Sequence, residues 1–129
     1  MQLTEHLPGD HHVIRSVDRT GIVVDAEHYS SSLIVGARLL IDDWPVRHLE
    51  DLDDERIAAL IEHGPEVVIL GIGERQHIAT PELQRDFYRR GIGLECMTLA
   101  AACRTFNVLM SENRRAIAGL ILPAVGAGE

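Results

Sequence analysis

The feature that most constrains the fold is an apolar run followed by a glycine turn, a capped helix and a second apolar run. The first run, Val67–Leu70, leads into Gly71-Ile72-Gly73. Thr80 and Pro81 then start a helix, with the threonine as N-cap and the proline at the first helical position. Apolar residues resume over Ile92–Met97. Because two strands joined by a helix are parallel with a right-handed crossover, this stretch predicts an α/β domain with a partly parallel sheet.

The flanking sequence adds two helices and an antiparallel β part. Asp53 is a favourable N-cap for a helix that Gly64-Pro65 ends. Thr98 caps a third helix, which we expect to run to about Met110. A turn signal at 18–21 lies between two alternating runs and predicts a β-hairpin. Further extended segments are predicted at 33–35, 38–41 and 116–122, with a loop at 29–32.

These elements predict a three-layer α/β domain with a mixed, partly parallel sheet, about three flanking helices and an N-terminal antiparallel β part. A chain of 129 residues suits one such domain. We expect the single α/β domain to span 13–123, between a flexible N-terminal segment at 1–12 and a flexible tail at 124–129. Trp44, the only tryptophan, is expected to be partly buried as a packing anchor.

Charge and composition exclude several classes of function. The net charge of −8 argues against binding to a nucleic acid or an anionic membrane. All 12 basic residues are arginine, so Schiff-base chemistry and a P-loop lysine are excluded, whereas forked contacts to carboxylates or phosphates are favoured. No apolar run has the length of a membrane span and the first residues lack a signal-peptide pattern, which predicts a cytoplasmic protein without membrane insertion.

The third helix has two unusual faces. Its broad apolar side predicts core residues, namely Leu99, Ala102, Cys103, Phe106, Leu109 and Met110. The opposite side consists of Ala100, Ala101, Arg104, Asn107, Val108 and Ser111. A solvated face would usually carry more charge than one arginine. We therefore expect this second face to be covered as well, by another segment or by a partner chain, and homo-oligomers are compatible with it.

The polar corner at the end of this helix has two interpretations. An arginine held by Glu112 would form a charge-assisted lock on the helix end, which is the favoured interpretation. Alternatively, Arg104 and Arg114 would form an anion pocket near the Gly71–Gly73 turn. The tentative ligand-binding set is Gly71, Gly73, Thr98, Arg104, Asn107, Glu112 and Arg114.

Other reactive residues give weaker signals. Cys96 and Cys103 match no zinc or redox spacing and are interpreted as buried small apolar residues. Imidazole and carboxylate groups near the N-terminus are possible ligands of a divalent metal, but a polar terminus explains them better. Those groups belong to His6, Asp10, His11 and His12. We predict no metal, no cofactor and no catalytic residue, and no nucleophile motif requires an enzyme.

Two segments resemble a known family. Ala102–Leu109 followed by Ser111-Glu112-x-Arg114, together with Pro65–Gly73, is similar to the domain-of-unknown-function 498 family. The resemblance covers about residues 12–123. Eukaryotic members include a mitochondrial assembly factor for respiratory complex I. Where the family usually has Gly-Thr-Gly, this chain has Gly71-Ile72-Gly73.

The resemblance implies a three-layer α/β domain and a non-enzymatic factor. Its partners are therefore expected to be proteins of membrane-complex assembly or of export. The alternative is a small-molecule or anion-binding protein, or an enzyme, that uses the Gly71–Gly73 turn with Arg104 and Arg114. That alternative requires these groups to meet in one open cleft.

Overall fold

Residues 10–75 and 77–122 of the chain are described by a computed structural model, in which they form two sheets and three α-helices. The strands are β1 (Ile14–Asp18), β2 (Gly21–Val24), β3 (Glu27–Tyr29), β4 (Leu33–Val35), β5 (Leu40–Ile41), β6 (Val67–Ile72), β7 (Gly93–Met97) and β8 (Ala116–Ile121). The helices are α1 (Asp54–Ile61), α2 (Pro81–Arg89) and α3 (Leu99–Ser111), with one turn of 3-10 helix at Leu49–Asp51.

The larger sheet is mixed, as the sequence predicts. Its strands follow the order β5-β4-β8-β6-β7. Strand β6 is parallel to both β7 and β8, whereas β4 is antiparallel to β5 and β8. The smaller sheet, β1-β2-β3, is antiparallel and contains the predicted hairpin. The expected mixed, partly parallel sheet with an N-terminal antiparallel β part is therefore confirmed.

The larger sheet separates two apolar clusters. Helix α3 and the smaller sheet cover one face, where their apolar residues pack against β4, β6 and β8. Helices α1 and α2 cover the other face. Both β6 and β8 are buried along their whole length because each lies inside the sheet with both faces covered. The layers position the two ends of α3 at opposite ends of β6.

The helix starts follow directly from local sequence. Asp53, Thr80 and Thr98 are the N-caps of α1, α2 and α3. Each side chain accepts a hydrogen bond from the backbone N–H three residues later, at 2.9–3.2 Å. These bonds satisfy N–H groups that the first helical turn leaves without a partner.

Two segments differ from the sequence-based interpretation. Strand β6 continues through Gly71 to Ile72, so Gly71 belongs to the sheet and not to a turn. A Cβ added at Gly71 would lie 2.4 Å from Ala102 Cβ, which shows how closely α3 approaches the strand. The short strand β3 occupies 27–29. The sequence shows no strand pattern there and predicts a loop from residue 29 onwards.

The segment after β5 is fixed on the sheet by two side chains. Trp44 is only 4% exposed, more buried than expected, and covers Gly119, where an added Cβ would lie 3.0 Å from its ring. The buried Ser32 hydroxyl donates to the Val46 carbonyl oxygen at 2.5 Å and accepts from the Leu122 N–H at 2.8 Å. Ser32 therefore connects the segment to the end of β8.

Candidate functional site

The predicted ligand-binding residues occupy three places along α3. At its N-terminal end lie Gly71, Gly73 and Thr98; in its middle, Arg104 and Asn107; beyond its C-terminal end, Glu112 and Arg114. Arg114 contacts Glu66, which precedes β6, whereas Gly73 follows that strand. The length of the strand separates these two points by roughly 20 Å. The predicted pocket that joins Arg114 to the Gly71–Gly73 segment is therefore not formed.

Two backbone donors at the N-terminal end of α3 are held by the residues of the predicted site. Leu99 N–H donates to the Gly73 carbonyl oxygen at 2.9 Å, and Ala101 N–H donates to Thr98 Oγ1 at 3.2 Å. Gly73 adopts a positive φ of 54°, a conformation that glycine reaches without a steric penalty. These contacts give Gly73 and Thr98 a structural role in joining β6 to α3.

Asn107 joins α3 to the N-terminal sheet. Its amide Nδ2 donates to the Ile14 carbonyl oxygen at 2.8 Å, and its Oδ1 accepts from the Ile14 N–H at 2.9 Å. The side chain thus pairs with β1 as a neighbouring strand would. We expected the second face of α3 to be covered, and this contact covers it only at Asn107. Four of the six residues on that face are exposed, namely Ala100, Arg104, Val108 and Ser111.

The polar corner after α3 is a Schellman motif. Asn113 has a φ of 57° and donates its N–H to the Met110 carbonyl oxygen at 3.0 Å. Arg114 N–H reaches back to the Leu109 carbonyl oxygen, also at 3.0 Å. This pair of bonds ends helices by satisfying their last carbonyl groups. Backbone hydrogen bonds therefore fix the conformation of the corner independently of its side-chain contacts.

The ion pair at this corner differs from the expected one. Arg114 Nε donates to the Glu66 carboxylate, so the pair joins the helix end to the start of β6. Arg104 is exposed and forms no ion pair with any residue of 10–75 and 77–122. The predicted lock on the helix end exists, but Glu66 replaces Glu112 as the acidic partner.

The Glu66 pair predicts a pH dependence of stability. The hydrogen bond from Arg114, aided by the charges of Arg114 and Arg115, lowers the pKa of Glu66. The pKa of Glu66 is lower in the folded state than in the unfolded state, so its ionised form stabilises the fold. This contribution is fully present at a pH above the unfolded-state pKa, and it is lost as the pH falls through the folded-state pKa. We expect Glu66→Gln to lower the urea midpoint at pH 7, and we expect this difference from the wild type to shrink as the pH falls below 4.5, the ordinary pKa of a glutamate. Glu74→Gln serves as a control, because its carboxylate lies 3.9 Å from an exposed Arg19.

A basic cleft lies beside this corner, between the β4–β5 turn and the start of β8. Its volume is about 660 Å³. The ionisable residues that line it are Asp10, His11, Arg38, His63, Arg114 and Arg115. Sequence reasoning missed this cleft because its arginines come from distant segments. The adjacent pair Arg114-Arg115 after a helix end was the only local signal.

An apolar groove, here the α2–β7 groove, lies between helix α2 and the edge strand β7. It has a volume of about 640 Å³, and its walls include Leu94 and Cys96 of β7. Ile78 and Tyr88 line it while being 81% and 84% exposed. Gln84 Nε2 donates to the Ala79 carbonyl oxygen at 2.8 Å and so holds the Ile78 segment against α2. Within residues 10–75 and 77–122, β7 pairs only with β6, so its outer edge stays open.

The cysteine and histidine candidates have no arrangement for catalysis or metal binding in the described residues. Both thiols are free, and burial raises the pKa of Cys96 and raises the pKa of Cys103 to about 12. Both are therefore protonated at neutral pH, and the thiolate is the nucleophile. His12 Nδ1 lies 2.6 Å from the Asp25 carboxylate. No group of three metal-ligating side chains occurs in 10–75 and 77–122, and His6 lies outside these residues.

Comparison with known proteins identifies the family. The model of a family described as "Protein of unknown function (DUF498/DUF598)" matches residues 14–121. The chain belongs to this family. A zebrafish (Danio rerio) relative is named NADH dehydrogenase [ubiquinone] 1 alpha subcomplex assembly factor 3. It is 37% identical over 86 residues, which are 65% of this chain and 49% of the relative. The chain thus spans about half the length of this relative and of a cattle (Bos taurus) relative of the same name.

DUF498/DUF598 relatives also confirm the fold. The NMR structure of a Xanthomonas campestris protein is 34% identical, has a TM-score of 0.81 and covers 100% of this chain and 98% of that one. A Francisella tularensis relative named 13 kDa major membrane protein is 23% identical over 93 residues, 71% of this chain and 76% of that protein. Within residues 10–75 and 77–122 of this chain, no helix has the length and apolar character needed to cross a bilayer.

Proposed function

We propose that this chain is a non-enzymatic interaction factor that assists the assembly of a membrane complex from the cytoplasm. The names of its relatives support an assembly role. The observation that carries the proposal is the α2–β7 groove, where two large apolar side chains stand almost fully exposed beside an open strand edge.

The groove has the properties of a protein-binding surface. Tyrosine is enriched at interfaces because its ring supplies contact area at a small entropic cost. Ile78 and Tyr88 flank the same groove, so one partner segment can bury both. The outer edge of β7 offers backbone groups to an extended segment, which is a common way to bind peptides. An edge left open in this way otherwise favours aggregation, so a partner that covers it also protects the protein.

Crosslinking in cells tests this function. The full chain, mildly crosslinked in its native host, should be recovered with subunits of a membrane complex, identified by mass spectrometry. Ile78→Ser with Tyr88→Ser should abolish these crosslinks, since the exposed side chains supply the contact. Val108→Ser is the matched control, because Val108 is 54% exposed on α3, away from the groove. Urea midpoints of all variants show that folding is unchanged.

Three outcomes would contradict the proposal. The first is the absence of crosslinks to any subunit of a membrane complex. The second is an equal loss of crosslinks in the groove variant and in Val108→Ser. The third is crosslinks between two copies of this chain alone, which would make the groove a homo-oligomer contact.

A further inference from the structure

The basic cleft is lined by more basic than acidic residues, whereas the chain as a whole is acidic. The whole sequence has 20 acidic and 12 basic residues, yet three arginines and one aspartate line this cleft together with two histidines. Arg38 and Arg115 are exposed, and neither forms an ion pair within residues 10–75 and 77–122. Like charges that converge without enough counter-charge attract an anion from solution.

The arginines extend from fixed points of the backbone. Arg38 lies in a tight turn that Gly36 N–H closes by donating to the Leu39 carbonyl oxygen at 2.8 Å. The Schellman motif fixes Arg114. The Arg115 carbonyl oxygen accepts from the Glu66 N–H at 2.8 Å. Because the backbone is already ordered at all three positions, binding does not carry the additional cost of ordering it.

The floor of the cleft is apolar. Met110 and Ile117 are buried lining residues, and with the half-buried Leu39 they form this floor, whereas the three arginines of the cleft are exposed. A cleft of about 660 Å³ falls in the size range of small-molecule sites. An apolar floor with a cationic rim fits a ligand with one strongly anionic group and a small apolar body.

We propose that this cleft binds a small organic phosphate monoester, with its phosphate held by Arg38 and Arg115 and its apolar part on Leu39 and Ile117. Guanidinium groups match phosphate oxygens with paired hydrogen bonds, and such charge-assisted bonds are stronger than neutral ones. Arg114 is the third cation of the site, but the Glu66 carboxylate occupies it. The ligand site is independent of the α2–β7 groove, which lies elsewhere on the molecule.

Titration with phenyl phosphate, followed by NMR of the ¹⁵N-labelled full chain, tests the proposal. We expect saturable shifts at 36–39 and 113–117. Arg38→Gln and Arg115→Gln should each weaken binding about ten-fold, because each removes one charge-assisted contact. Glu66→Gln should strengthen binding, because it releases Arg114 towards the phosphate. Arg85→Gln on α2 is the control and should leave the affinity unchanged.

The same titration defines the results that would overturn the site. Shifts spread over unrelated arginines would show non-specific charge attraction, as would an equal loss of affinity in Arg85→Gln. If benzoate bound as tightly as phenyl phosphate, the cleft would have a general preference for aromatic anions and no selectivity for phosphate. Weaker binding in Glu66→Gln would contradict the arrangement around Arg114. Unchanged spectra outside the substituted positions show that each variant is folded.

Discussion

Replacing Gly71 by alanine should destabilise the fold by about 3 kcal/mol, at the upper end of the range for overpacking a core. The new Cβ would lie 2.4 Å from Ala102 Cβ and 3.3 Å from the Leu99 Cα. Neither atom belongs to a flexible side chain, so relief requires α3 to move away from β6. That movement would loosen the Leu99 N–H bond to the Gly73 carbonyl. Urea unfolding at pH 7 measures the change in the free energy of unfolding.

A double-mutant cycle isolates this contact. Ala102→Gly costs about 2 kcal/mol by itself, because the helix penalty of glycine adds to the loss of a fully buried methyl group. In the double variant, the removed Ala102 Cβ makes room for the new one, so its total cost should be clearly below the sum of the single variants. Gly93→Ala is the matched control, because an added Cβ there would lie 3.5 Å from Val67 Cγ2, an ordinary contact. Strictly additive costs in the cycle would contradict the proposed clash.

Asn107→Ala should cost about 2 kcal/mol, since it leaves both polar backbone groups of Ile14 without their partner in a partly buried place. The loss should be local as well as global. Hydrogen exchange at the Ile14 amide should accelerate more than exchange in β6, because Asn107 supplies the partner of that amide. Ser111→Ala is the control on the same helix, since the Ser111 hydroxyl donates within α3 to the Val108 carbonyl oxygen.

Asn107→Asp separates the two bonds. A carboxylate at this position still accepts from the Ile14 N–H but faces the Ile14 carbonyl oxygen without a donor. The repulsion should raise the pKa of the introduced aspartate above its unfolded value. Such an acid lowers the free energy of unfolding at a pH above its unfolded-state pKa. This loss relative to the wild type shrinks as the pH falls, because the protonated acid can donate to the Ile14 carbonyl oxygen. A deficit that is the same at pH 7 and pH 4 would contradict the paired geometry.

The sequence predicts features that depend on a few neighbouring residues. The caps Asp53, Thr80 and Thr98 are recognisable because each side chain bonds to the backbone three residues later. The parallel sheet follows from the order of strand, helix and strand. Strand β3 was missed because its three residues, Glu27–Tyr29, show no alternation of apolar and polar side chains and form a strand through pairing with β2. Short strands of this kind depend on tertiary context and not on local propensity.

The candidate sites were harder to predict, because they depend on distances in space. The residues around Gly71 in the sequence do not reveal whether this glycine forms a turn or lets α3 pack closely against the strand. Only its contact with Ala102 in the structure distinguishes these two roles. The Arg114 partner was misassigned because Glu66 is 48 positions away, whereas Glu112 is close in sequence. Tyr88 follows the buried Phe87 on α2, so the sequence indicates that the Tyr88 side chain points away from the core. The sequence does not indicate that Tyr88 lies beside an open strand edge.

The position of β8 in the larger sheet has a consequence for how the protein is made. Among the strands of residues 10–75 and 77–122, this one is synthesised last, yet it lies between β4 and β6 in the middle of the sheet. Until it leaves the ribosome, β4 and β6 each lack a neighbour and expose apolar edges. Domains commonly fold as they emerge, but this one can close its sheet only after residue 121. Nascent chains stalled before that point should be bound by chaperones, and those stalled well after it should be released.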